Sequence, residues 1–379
     1  MARLGDVIKI KPSTASLKGE RIWLLNLDMV EQQTGRVFEH NFVNVEDLDG
    51  SIVQFDEDAV LYSKLRPNLN KVVLPDMAGF ATSEMLPLMP DTAVLTREYL
   101  AYFLRSDSFV TWAVSKTAGA KMPRLGSKEL LSKEIPLPTL GEQFSIAQQF
   151  VHVDTLISLR KQQLAKLDEL VKSRFIEMFG DPILDDGRYP KVPLGALAEI
   201  SSSKRIFERE YVSEGVPFYR TKEIVELSKG NCITTELFIA RNRYDEIRNE
   251  YGVPQKGDLL ISAVGTIGVI WIVDGKNDFY FKDGNLLRVA VTEKFAPTYL
   301  KHLLEALIGA YKQEMSSGTS YAALTISALK GMLVYEVPVA EQEQFAVFVA
   351  QTDKSKLSVQ QSIDQLETLK KSLMQKYFG

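Results

Sequence analysis

Cysteine is nearly absent. Cys232 is the single one among 379 residues, which excludes an internal disulfide framework and any multi-cysteine zinc or iron–sulfur site. Histidine is scarce too: His40, His152 and His302 lie far apart, so neither a metal cluster nor a Ser-His-Asp arrangement follows from them. No run free of charge exceeds 15 residues, and Leu259–Val273, which reaches that length, carries Ser262, Gly265, Thr266 and Gly268. That is too short and too polar to cross a bilayer. The opening Met1-Ala2-Arg3-Leu4-Gly5-Asp6 has no apolar stretch after its basic residue. No secretory signal is expected, and the chain reads as soluble and cytoplasmic. An excess of positive charge is missing as well. The 45 Lys plus Arg against 49 Asp plus Glu give a net charge of −4, which argues against holding nucleic acid by bulk field. What remains, 45% hydrophobic and 25% charged residues, is ordinary globular composition at a length of two or three domains.

Locally the charge is uneven. Acids cluster at Glu46, Asp47, Asp49, Asp56, Glu57 and Asp58, and then Lys64, Arg66 and Lys71 occur with no acid between Ala59 and Pro75. A second acid-free basic stretch holds Lys116, Lys121, Arg124 and Lys128, while Lys204, Arg205, Arg209, Arg220 and Lys222 have acids interspersed. Solvated surface explains any single patch; basic loops on a neutral body also suit a DNA reader whose partners supply further contacts.

The chain nearly repeats itself. Leu140–Gly180 aligns without a gap on Val339–Gly379, 199 residues later, pairing Glu142-Gln143 with Glu341-Gln342, Asp154 with Asp353, and Lys172-Ser173 with Lys371-Ser372. Both copies close on Phe-Gly, at Phe179-Gly180 and Phe378-Gly379. Upstream, Gly119 and Gly318, Leu125 and Leu324, and Leu130 and Leu329 keep the same spacing, and each copy has a Pro-bearing strand before its tail. The tails have no Gly or Pro from Glu142 to Phe179 or from Glu341 to Phe378, and a final Gly suits a C-terminal cap. Apolar residues recur at helical spacing, with Leu164, Leu167 and Leu170 in one tail and Ile363, Leu366 and Leu369 in the other. Each tail is therefore a helix of roughly 57 Å, and an amphipathic rod that long needs a partner. The repeat is the nearest one, so the two helices are expected to pack antiparallel as a coiled-coil spacer.

Before each tail, strands dominate: residues 21–30, 59–62, 71–74, 258–263, 267–273 and 286–291 are rich in Val, Ile and Leu. Helices are predicted at Arg97–Ser115 and Pro297–Met315. A turn-rich joint runs from Gly180-Asp181-Pro182 to Tyr189-Pro190. The expected fold is α+β: strand-rich domains at 1–140 and 181–340 (the latter with its linker), separated by long helices at 141–180 and 341–379, with a pseudo-twofold internal repeat.

At this point the chain resembles the specificity (S) subunit of type I restriction-modification systems, over essentially its whole length. The marks are Leu4-Gly5-Asp6-Val7 with its counterpart Leu194-Gly195-Ala196-Leu197, and Leu61-Tyr62-Ser63-Lys64-Leu65-Arg66-Pro67. Others are Lys256-Gly257-Asp258-Leu259-Leu260 with Gly265-Thr266-Ile267-Gly268, the Pro strands leading into Glu-Gln, and Met178-Phe179-Gly180-Asp181-Pro182. Their order, in duplicate, is the specific part. The resemblance implies a non-catalytic DNA-reading subunit with two target recognition domains, each reading half of a split site on double-stranded DNA. It implies helices that space these domains and dock methyltransferase (modification) subunits, with a restriction subunit as a further partner and no membrane. It also implies that this chain binds no cofactor, and that S-adenosylmethionine, ATP and Mg²⁺ belong to partner subunits.

Candidate DNA contacts in the first domain are Ser63, Lys64, Arg66, Asn68, Asn70 and Lys71, with Lys121 and Arg124: amides for adenine edges, basic groups for phosphates. An ordinary hairpin turn with surface lysines is the competing reading. In the second domain the candidates are Lys204, Arg205, Arg220, Thr221 and Lys222, together with Ser317, Thr319 and Tyr321. Gly265-Thr266-Ile267-Gly268 lies in a strand-rich run and lacks the spacing of a phosphate loop, so a hairpin turn is its expected role. The leucine stripe is core or partner interface. Asp258, Asp274 and Lys276 loosely mimic a metal-dependent nuclease, which is the alternative function; a purely structural dimerisation protein is a third.

Overall fold

The computed structural model describes residues 1–14, 21–48, 50–119, 121–184, 188–316 and 323–379. The chain divides into two compact units, Met1–Gln162 with Val359–Gly379, and Gln163–Ser358. Both long helices therefore contribute to both units.

In the first unit the strands are β1 (Ala2–Arg3), β2 (Ile8–Ile10), β3 (Arg21–Leu25), β4 (Phe42–Asn44), β5 (Ile52–Phe55), β6 (Val60–Ser63), β7 (Val72–Val73), β8 (Gly79–Thr82), β9 (Met85–Pro90) and β10 (Glu134–Ile135). They form sheets ordered β2-β9-β6-β7 and β4-β3-β8-β5, plus the pair β1-β10. The helices are α1 (Leu4–Val7), α2 (Arg97–Arg105), α3 (Asp107–Ser115), α4 (Ser127–Ser132) and the start of α5 (Leu140–Phe179). The helix predicted over Arg97–Ser115 is interrupted at Ser106, whose hydroxyl accepts from the Phe109 amide at 3.3 Å and donates to Phe103 O at 2.7 Å. Serine caps helices more readily than it continues them, so it ends α2 and starts α3.

The second unit holds β11 (Lys191–Pro193), β12 (Glu199–Ser201), β13 (Tyr211–Val212), β14 (Val216–Tyr219), β15 (Phe238–Ile239), β16 (Leu259–Ser262), β17 (Ile270–Ile272), β18 (Tyr280–Phe281), β19 (Leu286–Ala290) and β20 (Leu333–Tyr335). Its helices are α6 (Thr221–Ser228), α7 (Arg241–Glu250), α8 (Pro297–Ser316), α9 (Ile326–Gly331), the second part of α5 and the first half of α10 (Val339–Phe378). The sheet order β12-β19-β16-β17 reproduces β2-β9-β6-β7 strand for strand, and β11-β20 reproduces β1-β10. In the other sheet, β3 pairs antiparallel with β4 and parallel with β8, as β14 does with β15 and β18. The halves differ in the fourth strand: β5 extends the sheet beyond β8, whereas β13 extends it beyond β15. Helices α6 and α7 were not predicted. Both are short and polar; α7 buries only Tyr244 and Ile247.

The long helices start two residues before the glutamates that mark them. Thr139 and Glu142 form a reciprocal cap on α5: the Thr139 amide donates to Glu142 Oε2 at 2.9 Å and the Glu142 amide to Thr139 Oγ1 at 3.3 Å. Gly180, at φ 85°, ends the helix with its amide on Ile176 O at 2.8 Å. Within each unit α5 and α10 run antiparallel. In the first, Lys370 meets Asp154 at 2.6 Å and Tyr377 meets Gln149 at 3.3 Å; in the second, Lys356 meets Asp168 at 2.6 Å and Phe345 packs on Phe175. The buried face of α5 is Ile146, Phe150, Val153 and Ile157, then Val171, Phe175 and Phe179. Each unit closes on the Phe that ends a tail. Phe378 lies among Tyr99, Phe103 and Phe150, and its carbonyl accepts from Ser108 Oγ; Phe179 lies among Phe175, Tyr299 and Phe345.

Gln143 and Gln342, both fully buried, make the same connection twice. Gln143 Oε1 accepts from the Thr96 amide at 2.9 Å, and its Nε2 donates to Val94 O and Pro138 O at 2.8 and 2.9 Å. Gln342 Oε1 accepts from the Ala296 amide at 2.9 Å, and its Nε2 donates to Lys294 O and Val337 O at 3.0 and 2.8 Å. Each glutamine thus supplies the backbone groups just before α2 or α8 with partners from a long helix.

Candidate nucleic-acid interface

The site is built on the hairpin between β6 and β7. Leu65 and Arg124 form an isolated bridge, the Arg66 amide donates to Pro123 O at 2.8 Å, and the Leu125 amide to Lys64 O at 2.9 Å. Lys64, Arg66, Asn68 and Arg124 are thereby gathered at one hairpin tip, where Arg66 and Asn68 are exposed; Lys121 is exposed in the neighbouring 118–124 loop. A short turn at Pro67–Leu69 makes the tip, with Arg66 at φ 49° and Asn70 at φ 51° on either side. Pro67 supplies a preset φ for its start.

Four predicted contacts in this half have other duties. Ser63 is 3% exposed, with its hydroxyl on Leu65 O at 3.0 Å. Asn70 is 5% exposed and donates to Gln33 Oε1 at 3.1 Å and Arg105 O at 3.0 Å. Lys71 turns inward onto Leu27 O, and burial pulls its pKa down while Asp28 pulls it up. Arg124 grips Glu84 with two nitrogens at 2.9–3.2 Å, which holds the Glu84 carboxyl below its ordinary range and neutralises the arginine's charge. Ser63 and Asn70 are held within the structure; Arg66 and Asn68, with the half-buried Lys64, are what the tip leaves for a ligand.

In the second unit the predicted basic residues lie elsewhere and are largely paired. Arg205 Nε meets Asp283 at 2.7 Å, Arg220 meets the buried Glu223 at 3.0 Å, and Lys204 Nζ sits over the Tyr251 ring at 4.7 Å. Glu223 titrates below its ordinary range: burial pushes it up, but the Arg220 guanidinium and the Arg220 and Glu223 amides outweigh that. Thr221 Oγ1 is buried at the start of α6, and Lys222 is exposed. Ser317, Thr319 and Tyr321 lie outside the described residues.

The repeat gives the hairpin turn expected at Gly265–Gly268 an equivalence that sequence reasoning did not assign. The counterpart of the β6–β7 tip is the β16–β17 tip, Ala263–Val269. The Leu324 amide donates to Ala263 O at 2.9 Å as that of Leu125 does to Lys64 O, and Ser262, buried like Ser63, donates to Thr266 O. Here the left-handed positions are glycines, Gly265 at φ 73° and Gly268 at φ 86°, and Gly265 and Thr266 are exposed. The expected hairpin turn is present. The signal for its equivalence was the 199-residue offset itself, which places Arg66 on Gly265.

The nuclease alternative fails on Asp258. This carboxylate is 4% exposed and is occupied by Arg288 Nε at 2.7 Å, the Gln255 amide at 2.8 Å and the Val291 amide at 3.3 Å. Asp274 instead pairs with exposed Lys276 at 3.4 Å. Among the described residues no group of three or more His, Cys, Asp or Glu is placed to hold a metal ion, and no helix is long and apolar enough to cross a membrane. The leucine stripe divides. Ile363 is buried, Leu164, Leu167 and Leu366 are half-buried, and Leu170 and Leu369 face outward at 48% and 47% exposure, because Val171 and not Leu170 holds the seam position.

One antiparallel and one mixed sheet per half, a duplicated hairpin tip and paired long helices give the chain a two-copy architecture. The model of the type I restriction modification DNA specificity domain matches residues 1–169 and again 188–368, and the chain belongs to that family. The Haemophilus influenzae protein designated type I restriction enzyme specificity subunit S.HindORF215P is 26% identical over 259 residues, 66% of this chain and 62% of that protein. The MjaVIII specificity subunit of Methanocaldococcus jannaschii is 23% identical over 323 residues, 78% of this chain and 72% of its own length. The type I S subunit from M. genitalium, known from its crystal structure, has the same fold, with a TM-score of 0.58 at 16% identity over 100% of this chain and 95% of that one.

Proposed function

We propose that this chain is the sequence-specific DNA-binding subunit of a type I restriction-modification complex, reading a bipartite target and recruiting methyltransferase and restriction subunits. The observation that carries the reading is the duplicated hairpin tip, built on the same sheet order in each half of a chain that belongs to the specificity family. One tip presents Arg66 and Asn68, the other Gly265 and Thr266. Like scaffolds with unlike tips suit two different half-sites. Exposed Leu159 and Leu369 in the first unit, and Leu170 and Leu357 in the second, give methyltransferase subunits apolar side chains to cover on the long helices of each unit. Catalysis belongs to the partners. S-adenosylmethionine, ATP and Mg²⁺ are theirs to bind, and the complex works in the cytoplasm. The modest negative charge of this chain assigns much of the phosphate contact to those partners. Exchange of residues 1–140 for another recognition domain tests the reading: half of the methylated motif should change and the other half persist. A motif that survives the exchange intact would overturn it.

A further inference from the structure

We propose that the Glu31–Val37 turn is the positioning element of the first half's DNA-reading hairpin, with Gln33 clamping the Arg66–Asn70 tip so that Arg66 and Asn68 meet the duplex in a preformed geometry. The proposal rests on the DNA-reading function above. Among the described residues, the non-glycine positions with left-handed backbone are Gln33 at φ 66°, Arg66 at φ 49° and Asn70 at φ 51°. All three fall in this one place. Side chains rarely adopt that conformation, and it persists only where the surroundings over-determine it.

The surroundings here are the turn. The Gln33 amide donates to Leu69 O at 3.2 Å, its Nε2 donates to Asn68 O at 3.1 Å, and its Oε1 accepts from Asn70 Nδ2 at 3.1 Å. One residue therefore ties down three consecutive residues of the tip. The turn itself sits backbone to backbone on β7: a Cβ on Gly35, at φ 69°, would lie 1.6 Å from Val72 O. Arg105 fixes the same carbonyl at 2.6 Å, and its own carbonyl accepts from Asn70.

The second half shows that the hairpin does not need this strain. Its tip places glycine at both left-handed positions and is supported from α8 by Lys312 Nζ on Ile267 O at 3.1 Å. Glycine at position 66 would give the same turn without conformational cost. Keeping an exposed arginine there, with a dedicated clamp, marks a side chain retained for what it touches.

The test uses the full chain assembled with its methyltransferase subunits and reads methylation of DNA libraries varied in each half-site. If the unaltered complex specifies no motif, the DNA-reading function itself fails. Given a split motif, Gln33→Ala and Gly35→Ala should lower discrimination against mismatches in one half about tenfold, the worth of one good base contact, and leave the other half unchanged. Arg66→Gly, which relieves the backbone and so folds at least as well, should lose the same discrimination. Rescue follows if Gln33→Asn, which tolerates left-handed backbone, restores part of it. Unchanged discrimination in Gln33→Ala, an equal loss in both halves, or an unaltered motif in Arg66→Gly overturns the proposal.

Discussion

Replacing Gln143 with leucine isolates the contribution of one buried side chain that appears twice. The change leaves the Thr96 amide and the Val94 and Pro138 carbonyls without their partner, in a place the chain keeps from water. A buried backbone group left unpaired costs about 1–3 kcal/mol, with amides at the upper end because a carbonyl more readily finds a second donor. Leucine recovers part of this by burying apolar surface, so the net loss is about 3 kcal/mol. Gln342→Leu makes the same three losses in the other unit and should cost the same. Hydrogen exchange under mild denaturant is the assay, since one global midpoint need not describe a two-unit chain. Gln143→Leu should speed exchange across α2 and the start of α5, and Gln342→Leu across α8 and the start of α10. The double variant should be additive, because the two residues share no partner. A loss below about 1 kcal/mol in either variant, or faster exchange mainly in the other unit, would refute the assignment of these glutamines as local anchors.

Three further outcomes are expected. Phe378→Ala removes a ring packed on Tyr99, Phe103 and Phe150 and should cost about 3–5 kcal/mol, lowering the thermal transition of the first unit in calorimetry and sparing the second. Arg66→Ala should weaken binding of the assembled complex to its target, measured by titration at several salt concentrations. The loss should be about 1–3 kcal/mol and relax discrimination in one half-site only; a loss uniform across sequences, with the salt slope reduced by about one, would make the guanidinium a phosphate contact and contradict the positioning proposal. The depressed titration of Glu223 predicts a pH-dependent contribution: with its folded value below the ordinary 4.5, the ionised form stabilises the fold above that pH, and the gain is lost as pH falls through the folded value. Glu223→Gln should therefore be less stable than the unaltered chain at pH 7, with the difference shrinking as pH falls below the ordinary carboxylate range in denaturant titrations.

Much of the fold was legible because it rests on long-period signals. The two gap-free tails gave the helices and their pairing, and the Val- and Ile-rich runs gave β3, β6, β7, β16, β17 and β19. What escaped was decided by tertiary context. Ser106 splits a helix whose apolar pattern runs straight through it, and α6 and α7 bury too few residues to show a period. The candidate site was half legible. Proximity in sequence to basic residues pointed to the β6–β7 tip, but charge alone cannot tell a free arginine from one paired across a loop. Arg124 and Arg205 are spent on Glu84 and Asp283, acids 40 and 78 residues away. Weighting charge also drew attention from Gly265–Gly268, the true counterpart of the first tip, which carries none.

On the proposed function, this chain dictates where its partners act. Mapping adenine methylation across a genome that expresses the partner methyltransferase, with and without this chain, tests it directly. A split adenine motif that appears only when the chain is present is the predicted result. Methylation that is identical in both cases, or absent from both, would contradict it.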